Sequence, residues 1–272
     1  MPFVSELYVY PIKSLGGIKL DSAELTDRGF QYDRRWMLVN EQNEFLTQRE
    51  FPQMALLQTE ITNSGIKVSQ KKNVNENILV PFNAESNYKI TVRVWDDMCD
   101  AIFVNDHFSD WFSDQLKIRC KLVYMPDDSI RRVDRRYAFN NETTSFSDGY
   151  PILMISEESL ADLNSRLINS LPMNRFRPNM VIKDVRPYEE DEMDQFDING
   201  INFYGVKLCS RCVITTTNQD TAEKNKEPLK TLATYRTKNN NVYFGQNVLY
   251  NGNGKISVGN TINVIKSKQP LF

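Results

Sequence analysis

Lys89-Ile90-Thr91-Val92-Arg93-Val94-Trp95 sets Ile90, Val92 and Val94 on one side and Thr91, Arg93 and Trp95 on the other. That period of two is what a half-buried β-strand requires. The neighbouring sequence has the same character. Leu7-Tyr8-Val9-Tyr10 and Arg35-Trp36-Met37-Leu38-Val39 are short runs of branched and aromatic residues. Asn40-Glu41-Gln42-Asn43-Glu44 is a polar turn placed to fold the second run onto Phe45-Leu46-Thr47. After Leu171 strands are predicted again at 180–182, 201–204, 213–217, 255–259 and 261–265. Two helices interrupt this pattern. Phe108, Trp111, Phe112 and Leu116 make one apolar helical stripe, and Leu160, Leu163 and Leu167 make another behind an N-cap at Ser156 with Glu157 and Glu158 in its first turn. A shorter helical segment is expected from Pro228 to Tyr235. Many strands and few helices predict an α+β, β-rich chain with barrel-like sheets.

Composition narrows the function. The 272 residues are 40% hydrophobic and 25% charged, values of an ordinary globular protein with ample length for a core. Thirty-three basic and thirty-five acidic side chains give a net charge of −2, which offers no global attraction for nucleic acid or an anionic membrane. The first ten residues carry Glu6 and no long apolar stretch, unlike a signal peptide, and no window reaches the length of a membrane span. A cytoplasmic protein with four reduced cysteines and no membrane segment is expected.

Two of those cysteines sit in Cys209-Ser210-Arg211-Cys212. A structural zinc site wants four thiolate or imidazole ligands, and here it would have to recruit the scattered Cys99 and Cys120, since His107 is the only histidine. A redox pair wants a helix N-terminus, whereas Val213-Ile214-Thr215-Thr216-Thr217 reads as strand. Two buried thiols without chemistry are a third reading. Arg211 between them weighs against it, because a guanidinium is costly to bury without an anion.

Further polar clusters break other strands. Pro11-Ile12-Lys13-Ser14-Leu15-Gly16-Gly17 offers a cation, a hydroxyl and two glycines that would let backbone approach an anion. Asp33-Arg34-Arg35-Trp36, Asn174-Arg175-Phe176-Arg177-Pro178-Asn179 and Phe244-Gly245-Gln246-Asn247 are similar, and each singly reads as surface. The basic run Arg131 to Arg136 reads either as a solvated loop or as an anion or partner contact.

In combination these clusters resemble a family. Tyr10-Pro11-Ile12-Lys13-Ser14, Asp148-Gly149-Tyr150-Pro151, the segment from Ser156 to Asn164, Arg175-Phe176-Arg177-Pro178-Asn179, the cysteine pair and Phe244-Gly245-Gln246-Asn247 are similar, in this order, to the MOSC proteins. The branch is the one containing the amidoxime-reducing components and their bacterial relatives. The resemblance runs nearly end to end. It implies an N-terminal MOSC-type β-barrel domain over residues 1–120 and a MOSC domain over 121–272 carrying the cofactor cysteine.

It also implies a molybdenum cofactor, Mo-molybdopterin, with Cys212 as metal ligand and Cys209 as a neighbour. Lys13, Ser14, Arg34, Arg177, Asn179, Ser210 and Arg211 match positions that hold the pterin and its phosphate, and Asp148, Gly149 and Tyr150 match a segment lining it. Gln246 receives no role. The implied activity is reduction of small N-hydroxylated substrates: amidoximes, hydroxylamines and N-hydroxylated bases. The sequence has no cysteines to spare for an iron–sulfur cluster, so electrons are expected from a separate donor of ferredoxin, flavodoxin or cytochrome b5 type. The alternative function is sulfur transfer or cofactor carriage, since MOSC domains also occur fused to molybdenum-cofactor sulfurases.

Overall fold

A computed structural model describes residues 1–83 and 86–272. Its largest sheet has nine strands. In spatial order they run Ile262–Ser267, Met193–Ile198, Ile201–Ser210, Asn241–Asn251, Ile152–Ser156, Met180–Lys183, Phe3–Val9 and Ile18–Leu20, with Thr237–Lys238 added beside Asn241–Asn251. The sheet curls until its two ends meet. Phe3 bridges Thr261, and the Ile262 N–H donates to the Pro2 carbonyl at 2.8 Å. The strand pairs of this sheet are antiparallel except Ile152–Ser156 with Met180–Lys183, which are parallel and joined through the helix Glu157–Ser165. A parallel pair needs such a crossover, because a tight turn only reverses the chain.

A four-stranded sheet orders Trp36–Val39, Lys121–Tyr124, Asp97–Phe103 and Lys89–Val94. Among the described residues two three-stranded sheets complete the β structure. Alternation in Lys89–Val94 is realised as expected, with Val92 and Val94 fully buried and Thr91 and Arg93 exposed. The predicted turn at 40–44 forms. Asn40 Oδ1 accepts from the N–H groups of Gln42 and Glu44 at 3.0 and 2.9 Å, and Val39 bridges Phe45.

Helix Asp106–Leu116 buries Phe108, Phe112 and Leu116, and the Asn105 side chain caps it. Helix Glu157–Ser165 starts at Ser156 as predicted, but its stripe is shorter than expected. Leu167 falls beyond the end, because the Asn164 side chain bonds both backbone groups of Leu171 and turns the chain away. The segment after Pro228 is helical only over Leu229–Leu232. Among the described residues no helix is long and apolar enough to cross a membrane.

The N-terminal strand belongs to two cores in succession. Val4, Leu7 and Val9 pack with Met154, Phe196 and Phe203 inside the large sheet, whereas Ile12 and Leu15 pack with Trp36, Leu57 and Phe112. Residues 10–14 therefore form the crossing between two hydrophobic bodies. Cys99 and Cys120 lie apart, Cys120 in the second of these cores beside Phe112 and Leu122, and Cys99 in a third beside Met37 and Val123. Among the described residues no group of three or more His, Cys, Asp or Glu side chains could hold a metal, so a zinc site built from all four cysteines does not form.

Candidate functional site

At the crossing, the Tyr10 N–H donates to Asp33 Oδ1 at 2.8 Å, and Arg34 donates to Asp33 Oδ2 at 2.6 Å and to Asn179 Oδ1 at 2.9 Å. The guanidiniums of Arg34 and Arg177 lie over the Tyr10 ring, 4.4 and 4.2 Å from its centroid. Burial pushes the Tyr10 hydroxyl up to about 12 against the pull of Arg177 and Arg34, so it stays protonated and donates to the Pro178 carbonyl. Ser14, Arg34 and Arg177 take left-handed backbone angles, with φ of 69°, 49° and 55°. Non-glycine residues pay about 1–2 kcal/mol for this, and such positions concentrate where a side chain must be aimed.

These residues open onto a cleft of about 240 Å³. Lys13, Ser14, Arg34, Asp148, Gly149, Tyr150, Arg177, Asn179, Ser210, Arg211 and Cys212 all line it, so the structure brings every candidate from both halves of the chain to one place. The wall is strongly asymmetric in charge. Lys13, Arg34, Arg49, Arg177, Lys207 and Arg211 face it, and Asp148 is the one carboxylate among its described lining residues. Asp148 accepts from Lys13 Nζ at 2.6 Å and from Trp95 Nε1 at 3.2 Å, and lies 3.8 Å from Arg49 Nη2. Desolvation works against its ionisation, but Lys13, Arg49 and the indole outweigh it and hold it well below the usual carboxylate range. Burial pushes Lys13 down to about 8 in spite of Asp148, and pushes Arg177 down to about 10. Arg177 and Arg211 have no salt-bridge partner among the described residues, and the buried Arg211 Nε has no hydrogen-bond partner there.

The two thiols are held differently. Arg211 Nη1 donates to Cys209 Sγ at 3.0 Å while its Nη2 donates to the Phe176 carbonyl at 2.6 Å. Arg49 Nε donates to Cys212 Sγ at 3.1 Å. Burial raises the Cys209 thiol, and Arg211 only partly offsets this. The strand expected after Cys212 is instead a 3-10 turn over Val213–Thr216. Thr215 and Thr216 hydroxyls bond the carbonyls of Cys212 and Val213 at 3.0 and 2.7 Å, a local alternative to the sheet ladder that overrides β-branched propensity. Arg175, one of the clustered arginines, points away from the cleft and staples this turn through the Thr215 carbonyl at 2.9 Å.

Other expectations are corrected by packing. Gly16 and Gly17 are outside the cleft. An added Cβ would meet Gln58 Oε1 at 2.6 Å and the Tyr10 ring at 2.4 Å, so these glycines admit neighbouring side chains and not an anion. Arg35 turns outward to Asp127 at 2.7 Å. Arg131 is neither a solvated residue nor a partner contact. It is buried, pairs with Asp97, and donates to the Ser145 and Ser147 carbonyls at 2.9 and 2.6 Å, fixing the irregular segment that presents Asp148. Arg49 and Lys207 line the cleft without any motif that marked them, and Asn247 lines it from the Phe244-Gly245-Gln246-Asn247 cluster. Gln246, adjacent to Asn247, is fully buried, and neither amide atom has a partner among the described residues.

Comparison with known proteins identifies the family of the chain. The model of the MOSC N-terminal beta barrel domain matches residues 1–119, and that of the MOSC domain matches residues 141–263. The chain is 32% identical over 243 residues to mitochondrial amidoxime-reducing component 1 of Mus musculus, covering 86% of this chain and 71% of the relative. It is 30% identical over 277 residues to the Homo sapiens protein of that name, covering 95% and 82%. A molybdenum cofactor sulfurase of Oryza sativa subsp. japonica is 31% identical over 263 residues, 89% of this chain but 32% of that longer protein. The MOSC domain is a molybdenum-cofactor-binding domain. With both models matched in order and relatives aligned over most of its length, this chain belongs to the MOSC family.

Proposed function

We propose that this chain is a molybdenum-cofactor-dependent oxidoreductase that reduces N-hydroxylated compounds, amidoximes, hydroxylamines and N-hydroxylated bases, with electrons from a separate donor protein. The observation that carries the reading is the charge of the cleft. Six cations and one carboxylate close around Cys212, and three of those cations, Arg177, Lys207 and Arg211, have no carboxylate partner among the described residues. Such a wall wants an anionic ligand, and a phosphate-bearing pterin supplies one. A thiolate is a strong, electron-rich donor to a transition metal, and among the described residues no group of three or more His, Cys, Asp or Glu side chains competes for one. The residues present therefore fit the cofactor.

In this reading residues 1–120 and 121–272 are two domains that share one cleft and exchange strands, Phe3–Val9 and Ile18–Leu20 lying in the large sheet and Lys121–Tyr124 in the four-stranded one. Cys212 is the metal ligand. Lys13, Arg34, Arg177 and Arg211 hold phosphate and pterin, with Ser14, Asn179 and Ser210 donating or accepting hydrogen bonds at their edges. Gly149 and Tyr150 line the bound group, and Asp148 fixes Lys13. Arg49 keeps a fixed positive charge 3.1 Å from the ligand sulfur. When bound, the molybdenum cofactor supplies the two-electron chemistry of the reduction. The overall balance is N–OH plus two electrons and two protons giving N–H and water. The donor is of ferredoxin, flavodoxin or cytochrome b5 type.

A second reading, sulfur or cofactor transfer, draws on the similarity to molybdenum cofactor sulfurases. One experiment separates the two. Protein made in a cofactor-competent host is assayed for molybdenum, oxidised-pterin fluorescence and amidoxime reduction with an artificial electron donor, alongside Cys212→Ala and Cys209→Ala. Near-stoichiometric molybdenum, abolished activity in Cys212→Ala and partial activity in Cys209→Ala are expected. Stoichiometric zinc, or activity that survives without Cys212, overturns the proposal. Equal dependence on both cysteines without metal favours transfer.

A further inference from the structure

Beside the cationic cleft lies a second cavity of about 450 Å³, within the size range of small-molecule sites. Thr47 and Arg49 line both. Arg49 is the partition: its Nε touches Cys212 Sγ on one side, and its guanidinium stacks on the Trp95 indole, 4.0 Å from the ring centroid, on the other. Phe45 meets the same indole edge-on at 4.8 Å. The second cavity thus begins one guanidinium away from the thiol that would carry the metal.

Its chemistry differs from that of the cleft. Three arginines are balanced by three carboxylates, and Phe45, Phe51, Trp95 and Ile118 supply apolar wall. A balanced wall does not select an anion; it suits an uncharged, planar body that can stack. The position of Trp95 is itself informative. Strands Lys89–Val94 and Asp97–Phe103 are joined by the two residues Trp95-Asp96, with Val94 opposite Asp97. Trp95 takes φ of 58°, a position in such hairpins that favours glycine, asparagine or aspartate. A bulky aromatic there works against the turn, and 39% of its surface remains exposed at the cavity.

We propose that this cavity is the subsite for the organic body of the substrate, that it takes uncharged aromatic or heteroaromatic N-hydroxylated compounds, and that Trp95 is its stacking platform and specificity-determining residue. This rests on the reading of the cleft as a reductase centre. The N–OH end would lie toward Arg49 and Cys212, with the ring against Trp95 and Phe45.

The test compares benzamidoxime with hydroxylamine, which has no body to stack. Trp95→Gly suits the backbone angle and so keeps the turn, and Trp95→Phe keeps a stacking ring while losing the donor to Asp148. In the loaded enzyme the ratio of kcat/KM for benzamidoxime to that for hydroxylamine should fall about tenfold in Trp95→Gly, through KM, and recover most of its value in Trp95→Phe. Calorimetric binding of benzamidoxime to cofactor-free protein should weaken by a similar factor. An unchanged ratio, or benzamidoxime affinity independent of Trp95, overturns the subsite. If the wild type reduces neither compound yet binds benzamidoxime in a Trp95-dependent way, the reductase reading fails and the subsite stands.

Discussion

Glu190 offers a sharp test of the energetics behind the cleft. It is fully buried where the strand Ile152–Ser156 passes into the helix Glu157–Ser165. Its carboxyl accepts from the Ser156 N–H at 3.1 Å and lies 2.8 and 2.9 Å from the Ser156 and Ser159 hydroxyls. Those bonds favour the ionised form, yet desolvation, helped by the neighbouring Asp191, wins and pushes Glu190 from 4.5 up to about 7. The folded protein therefore holds this proton more tightly than the unfolded chain does. The resulting stability is fully present below pH 4.5 and is lost as pH rises through about 7. At 1.36 kcal/mol per tenfold change in proton affinity the total is about 3 kcal/mol, of which about 2–3 kcal/mol is lost between pH 5 and pH 8. An unfolding entropy of about 2.1 cal/mol/K per residue over 272 residues converts this to a fall of about 4 °C in Tm. Lys13, pushed down to about 8, begins to titrate only at the top of that window and there acts in the opposite sense, raising stability as pH rises. Calorimetry of wild type and Glu190→Gln from pH 5 to pH 8 measures the effect. The variant should lose most of the slope, while Asp191, raised in the same direction, retains a smaller part. A wild-type Tm that is flat or rises over this range, or a Glu190→Gln variant with the full slope, refutes the reasoning.

Two other perturbations bear on the site. Gly245 has φ of 83°, and an added Cβ would lie 2.7 Å from Ile155 Cγ1 and 2.9 Å from the Met154 carbonyl oxygen. Gly245→Ala should therefore cost about 2–5 kcal/mol from left-handed strain plus overpacking, read as a lowered urea midpoint at unchanged m. Lys13→Met removes a buried cation while keeping the volume of its stem, and leaves an Asp148 side chain that is 62% exposed and still faces Arg49 and the Trp95 indole, so Tm should change by less than about 2 °C. Its molybdenum and pterin content after purification should fall at least tenfold, and full retention of both would remove Lys13 from the phosphate site.

The strands at 89–94 and the N-cap at Ser156 were legible because each depends on residues within one or two turns of chain: side-chain alternation in the first, a hydroxyl placed before two acidic residues in the second. Where local rules compete, reading failed. Val213–Thr217 has strand composition, but threonine hydroxyls that reach back to carbonyls three residues earlier made a helical turn. Motif order located the candidate cofactor residues, although the spacing of Cys209 and Cys212 alone left zinc, redox and inert readings open. Arg49 carried no signal at all, since its partners Trp95, Asp148 and Cys212 are remote in sequence.

The sequence by itself determined most element types, the family and the residues that carry charge and sulfur, because periodicity, capping and motif order are written in neighbouring positions. Only the tertiary structure decided that Lys13 meets Asp148, that Arg131 is a buried clamp, and that Arg49 and Trp95 divide two cavities. Those outcomes depend on how two hydrophobic bodies pack across residues 10–14. Packing of that kind is a sum of long-range contacts that no window of sequence contains.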